Sequence, residues 1–419
     1  MKKLVIRGGT PLAGSMQVAG AKNAALPILA ATLLAGVPVR LRNVPNVTDI
    51  LSMLDLLRFH GVTLSAIENG TLDLDAADLR PVETPYEIVR RMRASFLVLT
   101  PLLVRFGHAR LPRPGGCSIG TRPIDLHLDV LRALGAQVEF TGGIIDVRAP
   151  QGLRGARVNL PFPSVGATHA ALMGAAGASG ETEIANAARE PEIVDLAAFL
   201  AALGARVEGA GTHRILVEGA ASFRSVAHTI IPDRVETGSY IMAGAITGGE
   251  VEVIGGRLEH IGAVCAVLER CGVRIYPSDR GLMVSRSGPL ASVDLDTEVF
   301  PGFPTDLQAQ FMAMMCLADG VSVIRDCIFE ARFMHVPELQ RLGADIRQVG
   351  SSAVVTAVPR LNGAEVMATD LRASMSLVLA GLAARGETTI HRIYHLDRGF
   401  EDIDKKLQRC GADIERLEA

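Results

Sequence analysis

The sequence predicts an α/β protein made of six copies of one unit, set as two domains of three units with helices inside and sheets outside. Three observations carry that expectation. A string of the form LxxLGAxV recurs about every 70 residues, with its glycine at Gly61, Gly135, Gly204, Gly272, Gly343 and Gly411. A second helix-ending glycine lies upstream in each unit, at Gly36, Gly107, Gly180, Gly249, Gly320 and Gly386. The helical runs before those upstream glycines, such as "ALPILAATLLAG" and "SMSLVLAGLAARG", are apolar on all sides, which describes helices sunk in a core.

Each unit opens with such an inner helix. A short strand follows it, as in "VPVRLRNV", "HARLPRP" and "TTIHRI". The outer helix comes next, for example "LDVLRALGAQV" or "VPELQRLGADI", and its final glycine is placed for a left-handed cap leading straight into a strand. Further strands such as "GTLDLDA" and "GIIDVRA" complete the unit. Alternating helices and strands give α/β layering. A solenoid of six stacked units is the competing arrangement, but solenoid repeats run about 20 to 50 residues, shorter than these.

Composition bounds the function. The chain has 419 residues, 48% hydrophobic and 21% charged, with no tryptophan and 4% aromatics. That aromatic poverty counts against a stacking platform for single-stranded nucleic acid. Its 42 basic and 45 acidic residues leave a net charge of -3, and no Lys/Arg block is dense enough to track a phosphate backbone. A nucleic-acid partner is therefore not expected, whereas a small anionic ligand is compatible. The six cysteines form no CxxC pair, which fits a reducing compartment. The start "MKKLVIRGGT" does not read as a signal peptide, and "FLVLTPLLV" is half a membrane span with a proline in it. A cytoplasmic protein without a membrane partner is the expectation. The ten histidines show no metal-ligand spacing, so no metal site is expected.

Charged residues gather at the starts of the inner helices: Lys22 and Asn23, Arg91 and Arg93, Asp233, Arg234 and Glu236, Asp306, then Asp370 and Arg372, with Ser164 in the equivalent place of the third unit. A second set precedes the outer helices: Arg122 and Asp125, Arg189 and Glu190, Arg332 and His335, Asp397 and Arg398. Asp, Ser and Thr there are ordinary caps. Capping does not account for Lys22, Arg93, Arg122, Arg372 and Arg398, because cations oppose the dipole at a helix start. A shared anion would account for them. Asp306 reads equally as a cap or as a carboxylate able to take a proton from a hydroxyl. Cys117 stands between Gly115, Gly116 and Gly120, five residues before Arg122. It is either an inconsequential loop cysteine or a thiol on a mobile loop beside a cation that lowers its pKa.

The strings "GAKNAALPIL", "MRAS", "PGGCSIGTRPIDLH", "SVGAT", "NAAREPEIVDLA", "FPTDLQAQF", "FEARFMHVPEL", "ATDLRAS" and "IYHLDRGFEDI" run in order from Gly20 to Ile403, within a match that extends from residue 3 to the C-terminus. Together they resemble the UDP-N-acetylglucosamine 1-carboxyvinyltransferase (MurA) family of enolpyruvyl transferases. The resemblance implies an inside-out α/β barrel shared with shikimate enolpyruvyl transferase, with three βαβαββ repeats in each of two domains. One domain would hold residues 22–230 with a cysteine loop at about 112–124, the other residues 1–21 plus 231–419, and ligands would bind in the cleft between them. The implied reaction moves the enolpyruvyl group of phosphoenolpyruvate to the 3′-hydroxyl of UDP-GlcNAc and releases phosphate, the first committed step of peptidoglycan synthesis. It implies no metal and no cofactor, small-molecule substrates only, and a monomer.

The same resemblance assigns roles. Cys117 matches the family's general acid, which can carry a covalent phospholactoyl adduct and be alkylated by the epoxide fosfomycin. Asp306 matches the base for the sugar hydroxyl. Lys22, Asn23, Arg122, Arg372 and Arg398 match the phosphoenolpyruvate site, with Lys22 and Arg398 counted among the catalytic groups. Arg93, Arg122, Pro123, Ile124, Asp125 and Leu126 match the nucleotide-sugar site. So do Phe162, Pro163, Ser164, Val165 and Gly166, with Ile328 and Asp306 at the sugar. Phe162 and Leu97 depart from relatives carrying lysine and tryptophan there, so contacts at Phe162 would run through backbone. The rivals are shikimate-3-phosphate transfer on the same fold, which lacks the "GCSIGTRPIDL" string, and a non-catalytic scaffold that binds a phosphorylated ligand.

Overall fold

The computed structural model describes residues 2–90, 92–113 and 124–418. They form two compact units. A middle unit is built from residues within 20–231, and a terminal unit from residues 2–19 and 232–418. Each has its own apolar core.

The βαβαββ repeat is plain in the fourth copy. Strand Ala13–Gln17 is parallel to Glu250–Ile254, with inner helix Arg234–Thr247 just before the latter. Outer helix Leu258–Arg270 then leads into Arg274–Ser278 and Gly281–Ser285, which complete an antiparallel side. Among the described residues, five sheets have four strands and one has three. The short one belongs to the second repeat, whose lead-in segment carries Pro81 and Pro85. Proline donates no ladder hydrogen bond, and a helical turn Tyr86–Val89 forms there instead.

Repeats borrow strands from distant parts of the chain. Val226–Thr229 supplies the parallel strand beside Val39–Arg42 of the first repeat. Lys2–Arg7 is the last strand of the sixth, paired on one side with Glu387–His391 and on the other with Asp413–Glu418. Chain ends and middle are thereby stitched into sheets of repeats they do not adjoin in sequence.

Most of the inner helices are buried all round, although the second, Leu99–Phe106, leaves Val104, Arg105 and Phe106 partly exposed. In Arg234–Thr247 every residue from Val235 to Ile246 is buried, and in Leu371–Ala383 every residue from Leu371 to Leu382. With Gln308–Met315 these two pack against one another inside the terminal unit. The glycines after the outer helices all have positive φ, between +86° and +130°, a conformation that only glycine adopts without strain.

The upstream glycines divide differently from the sequence expectation. Gly107 is a left-handed cap, but in the fourth repeat Gly248 rather than Gly249 has that role. Gly180, Gly320 and Gly386 turn the chain immediately before a strand, several residues past the helix end, and Gly36 is not left-handed. No helix among the described residues is long and apolar enough to cross a membrane.

Candidate active-site groups

In the terminal unit the fifth inner helix opens with a 3-10 turn, Thr305–Leu307, before the α-helix Gln308–Met315. The Asp306 side chain caps neither element. Its Oδ2 accepts from Arg372 Nη2 at 2.7 Å and its Oδ1 from Arg332 Nη2 at 2.6 Å. Both guanidinium side chains are under a tenth exposed, while Asp306 keeps about a quarter of its surface open. Burial disfavours the Asp306 charge, but the charges of Arg372 and Arg332 and their hydrogen bonds outweigh it. They hold the carboxyl well below the usual carboxylate range. Arg372 sits in the first turn of helix Leu371–Ala383, where its charge opposes the dipole. Asp370 offsets this, capping the Arg372 and Ala373 N–H groups at 2.8 and 3.1 Å. Arg372 also feels the charges of Asp233 and Asp370, so the two guanidiniums are balanced by more than one carboxylate.

In the middle unit Lys22 opens the first inner helix and is buried. Its Nζ lies 2.9 Å from Oδ2 of Asp49, itself buried in the first turn of outer helix Thr48–Phe59. Asn23, the next residue, is half-buried. Lys22 and Arg372 therefore each meet a protein carboxylate, so an anionic ligand is not required to explain either cation at a helix start.

A third group surrounds His127. Ser164 caps helix Val165–Ala176 by accepting from Ala167 N–H at 3.4 Å. A Cβ placed on Gly166 would lie 2.4 Å from His127 Nε2, so that backbone approach requires glycine. The His127 N–H donates to the Ile124 carbonyl at 3.0 Å, just ahead of helix Asp125–Ala133. Burial and the nearby Arg93 charge push the His127 imidazole down to about 4. The structure thus brings the Arg93 charge, the Ile124 carbonyl and the Gly166 backbone close to His127, with Asp125 and Leu126 next along the chain from Ile124 and Phe162, Pro163, Ser164 and Val165 leading into Gly166. Phe162 points largely to solvent, and its carbonyl accepts from Ser164 N–H at 2.7 Å.

Arg398 ends a 3-10 turn, Ile393–Arg398, and is half-buried. Ile328 is half-buried on the turn after strand Val321–Arg325. Cys117, Arg122 and Pro123 lie outside the described residues. Among the described residues no cluster of three His, Cys, Asp or Glu is placed to hold a metal ion. Asp49 escaped the sequence reading because an acid at a helix start looks like a dipole partner, and Arg332 stood in the outer-helix set without a role. Only the fold pairs them with Lys22 and Asp306.

A sequence profile of the family described as EPSP synthase (3-phosphoshikimate 1-carboxyvinyltransferase) matches residues 6–407. The chain is 58% identical over 421 residues to UDP-N-acetylglucosamine 1-carboxyvinyltransferase 2 of Mesorhizobium japonicum, with 100% of both chains covered. It is 54% identical to the UDP-N-acetylglucosamine 1-carboxyvinyltransferase of Gluconacetobacter diazotrophicus, again over the whole of both. Among solved structures, the enolpyruvyl transferase NikO from Streptomyces tendae superposes with a TM-score of 0.90 at 28% identity, covering 100% of this chain and 99% of that one. EPSP synthase from Acinetobacter baumannii shares the fold over 100% of both chains, with a TM-score of 0.77 at 19% identity.

Proposed function

The chain belongs to the EPSP synthase family, in its UDP-N-acetylglucosamine 1-carboxyvinyltransferase branch, and from that premise we propose how its residues serve the reaction. The enzyme transfers the enolpyruvyl group of phosphoenolpyruvate to the 3′-hydroxyl of UDP-GlcNAc and releases phosphate, the step that commits the sugar nucleotide to peptidoglycan. Full-length identity above half to relatives bearing that name is the observation that carries this reading over shikimate-3-phosphate transfer.

Chemically, a proton adds to C3 of phosphoenolpyruvate while the sugar oxygen, losing its own proton, bonds to C2. A tetrahedral phospholactoyl intermediate results. Loss of a C3 proton and departure of phosphate then restore the double bond. We assign Cys117 as proton donor and Asp306 as acceptor of the sugar proton. Lys22, Asn23, Arg122, Arg372 and Arg398 bind the phosphate and carboxylate, and cationic side chains supply the stabilisation with no metal or cofactor. Arg93, Arg122, Pro123, the Ile124 and Phe162 strings and Ile328 hold the nucleotide sugar. We place the enzyme in the cytoplasm as a monomer.

The Asp306 geometry supports its part. Between two guanidiniums it is ionised at neutral pH but a weak base. An anionic substrate that draws Arg372 to itself relaxes that hold and raises the carboxylate's basicity as the sugar hydroxyl arrives. Base strength is then coupled to occupancy by phosphoenolpyruvate.

Phosphate release tests the reading. Protein supplied with phosphoenolpyruvate and UDP-GlcNAc is expected to turn over, and with shikimate 3-phosphate in place of the sugar nucleotide it is not. Release only with shikimate 3-phosphate, or with neither acceptor, overturns it.

A further inference from the structure

Asp326 carries no role in the reaction as described, yet it is only 3% exposed and every oxygen it has is used. Its Oδ1 accepts from the N–H groups of Ile328 and Phe329 at 3.0 and 2.9 Å, closing the turn that carries Ile328. Its Oδ2 accepts from the Thr305 hydroxyl at 2.6 Å. Thr305 Oγ1 in turn accepts from Arg332 Nη1 at 2.9 Å, and Arg332 Nη2 donates to Asp306. The Arg332 guanidinium also lies 5.2 Å over the Phe329 ring, which closes the circuit.

A hydroxyl has one proton. Because Asp326 takes the proton of Thr305, the lone pairs of Oγ1 are left for Arg332, and the guanidinium is aimed so that its other nitrogen meets Asp306. We propose that Asp326 and Thr305 are positioning residues that tie the Ile328 turn to the orientation of Asp306, so that one buried carboxylate sets both the sugar contact and the base. This rests on the roles given above to Asp306 and Ile328. The two arms are separable: Thr305 serves only the Asp306 side, whereas Asp326 serves both.

The test compares Thr305→Val, Thr305→Ser and Asp326→Ala with wild type, using phosphate release and amide exchange at Ile328 and Phe329. Thr305→Val is expected to lower kcat at least tenfold, with KM for UDP-GlcNAc and exchange at both amides within twofold. Thr305→Ser, which keeps the hydroxyl, should return kcat to within threefold of wild type. Asp326→Ala, which removes both acceptor oxygens, should lower kcat, raise KM for UDP-GlcNAc at least fivefold and speed exchange at Ile328 and Phe329 at least tenfold. Wild-type kcat in Thr305→Val, or equal losses in Thr305→Val and Thr305→Ser, overturns the proposal while wild-type turnover leaves the functional reading standing. Wild-type protein that releases no phosphate overturns the functional reading instead. Exchange unchanged in Asp326→Ala overturns the positioning role on its own.

Discussion

Arg372 Nη2 and Asp306 Oδ2 lie 2.7 Å apart although 66 residues separate them, and the second oxygen of the same carboxylate is taken by Arg332. Replacing Asp306 with asparagine keeps the shape and removes the charge. Turnover should fall at least about a hundredfold, the scale of a lost general base. Affinity for UDP-GlcNAc by calorimetry should stay within about threefold. The guanidiniums lose their internal anion, so KM for phosphoenolpyruvate should not rise. Wild-type turnover in this variant rules out the base assignment.

Arg332 offers a test through pH. Arg372 and Arg332 together depress the Asp306 carboxyl, so the group is ionised down to low pH and its limb of the rate profile lies on the far acid side. Arg332→Met removes one of the two charges and leaves the burial. The carboxyl must then rise, and the acid limb of kcat/KM should move to higher pH. A profile whose acid limb stays in place shows that Asp306 does not set it.

The repeat architecture was legible because its signals are local. Six glycines at a fixed interval mark helix ends, and runs such as "SMSLVLAGLAARG" have no polar face, so burial follows from composition alone. What the sequence could not show was long-range pairing. Lys2–Arg7 completes the sixth repeat's sheet, and nothing in "KKLVIR" says which strand it will join. The ion pairs are hidden for the same reason. Asp49 in "NVTDILSM" is indistinguishable from a helix-start acid until the fold sets it against Lys22. Lys22 and Arg372 each face a carboxylate of the same unit, a pairing that no local pattern announces.

The Lys22–Asp49 pair is buried on both sides, with side chains 9% and 7% exposed. Removing one member of such a pair strands the other, at about 3–5 kcal/mol. Asp49→Leu should therefore destabilise the protein by roughly 3 kcal/mol in urea unfolding. Adding Lys22→Met to it should recover part of that loss, because the pair is then replaced rather than broken. A double variant whose loss equals the sum of the two single losses shows that the pair is not coupled.

Three buried histidines, His60, His169 and His335, and the half-buried His127 are expected to weaken the fold in acid. Burial pushes His60, His127 and His335 down to about 4 and His169 to about 3. All stay neutral in the fold at pH values where the unfolded chain, titrating near 6.5, takes up protons. The unfolded state then binds more protons than the native state, so stability must fall as pH drops below about 6.5. The fall continues until the folded groups themselves titrate, near 4 and then 3. Each histidine contributes on the order of 1 kcal/mol per pH unit across that window. Thermal midpoints measured from pH 7.5 to 5 should be flat at the upper end and decline below about 6.5. Replacing His169, which is buried and whose shift is the largest, with glutamine should make that decline shallower. An equally steep decline in His169→Gln would show that this histidine is not among the groups that limit stability in acid.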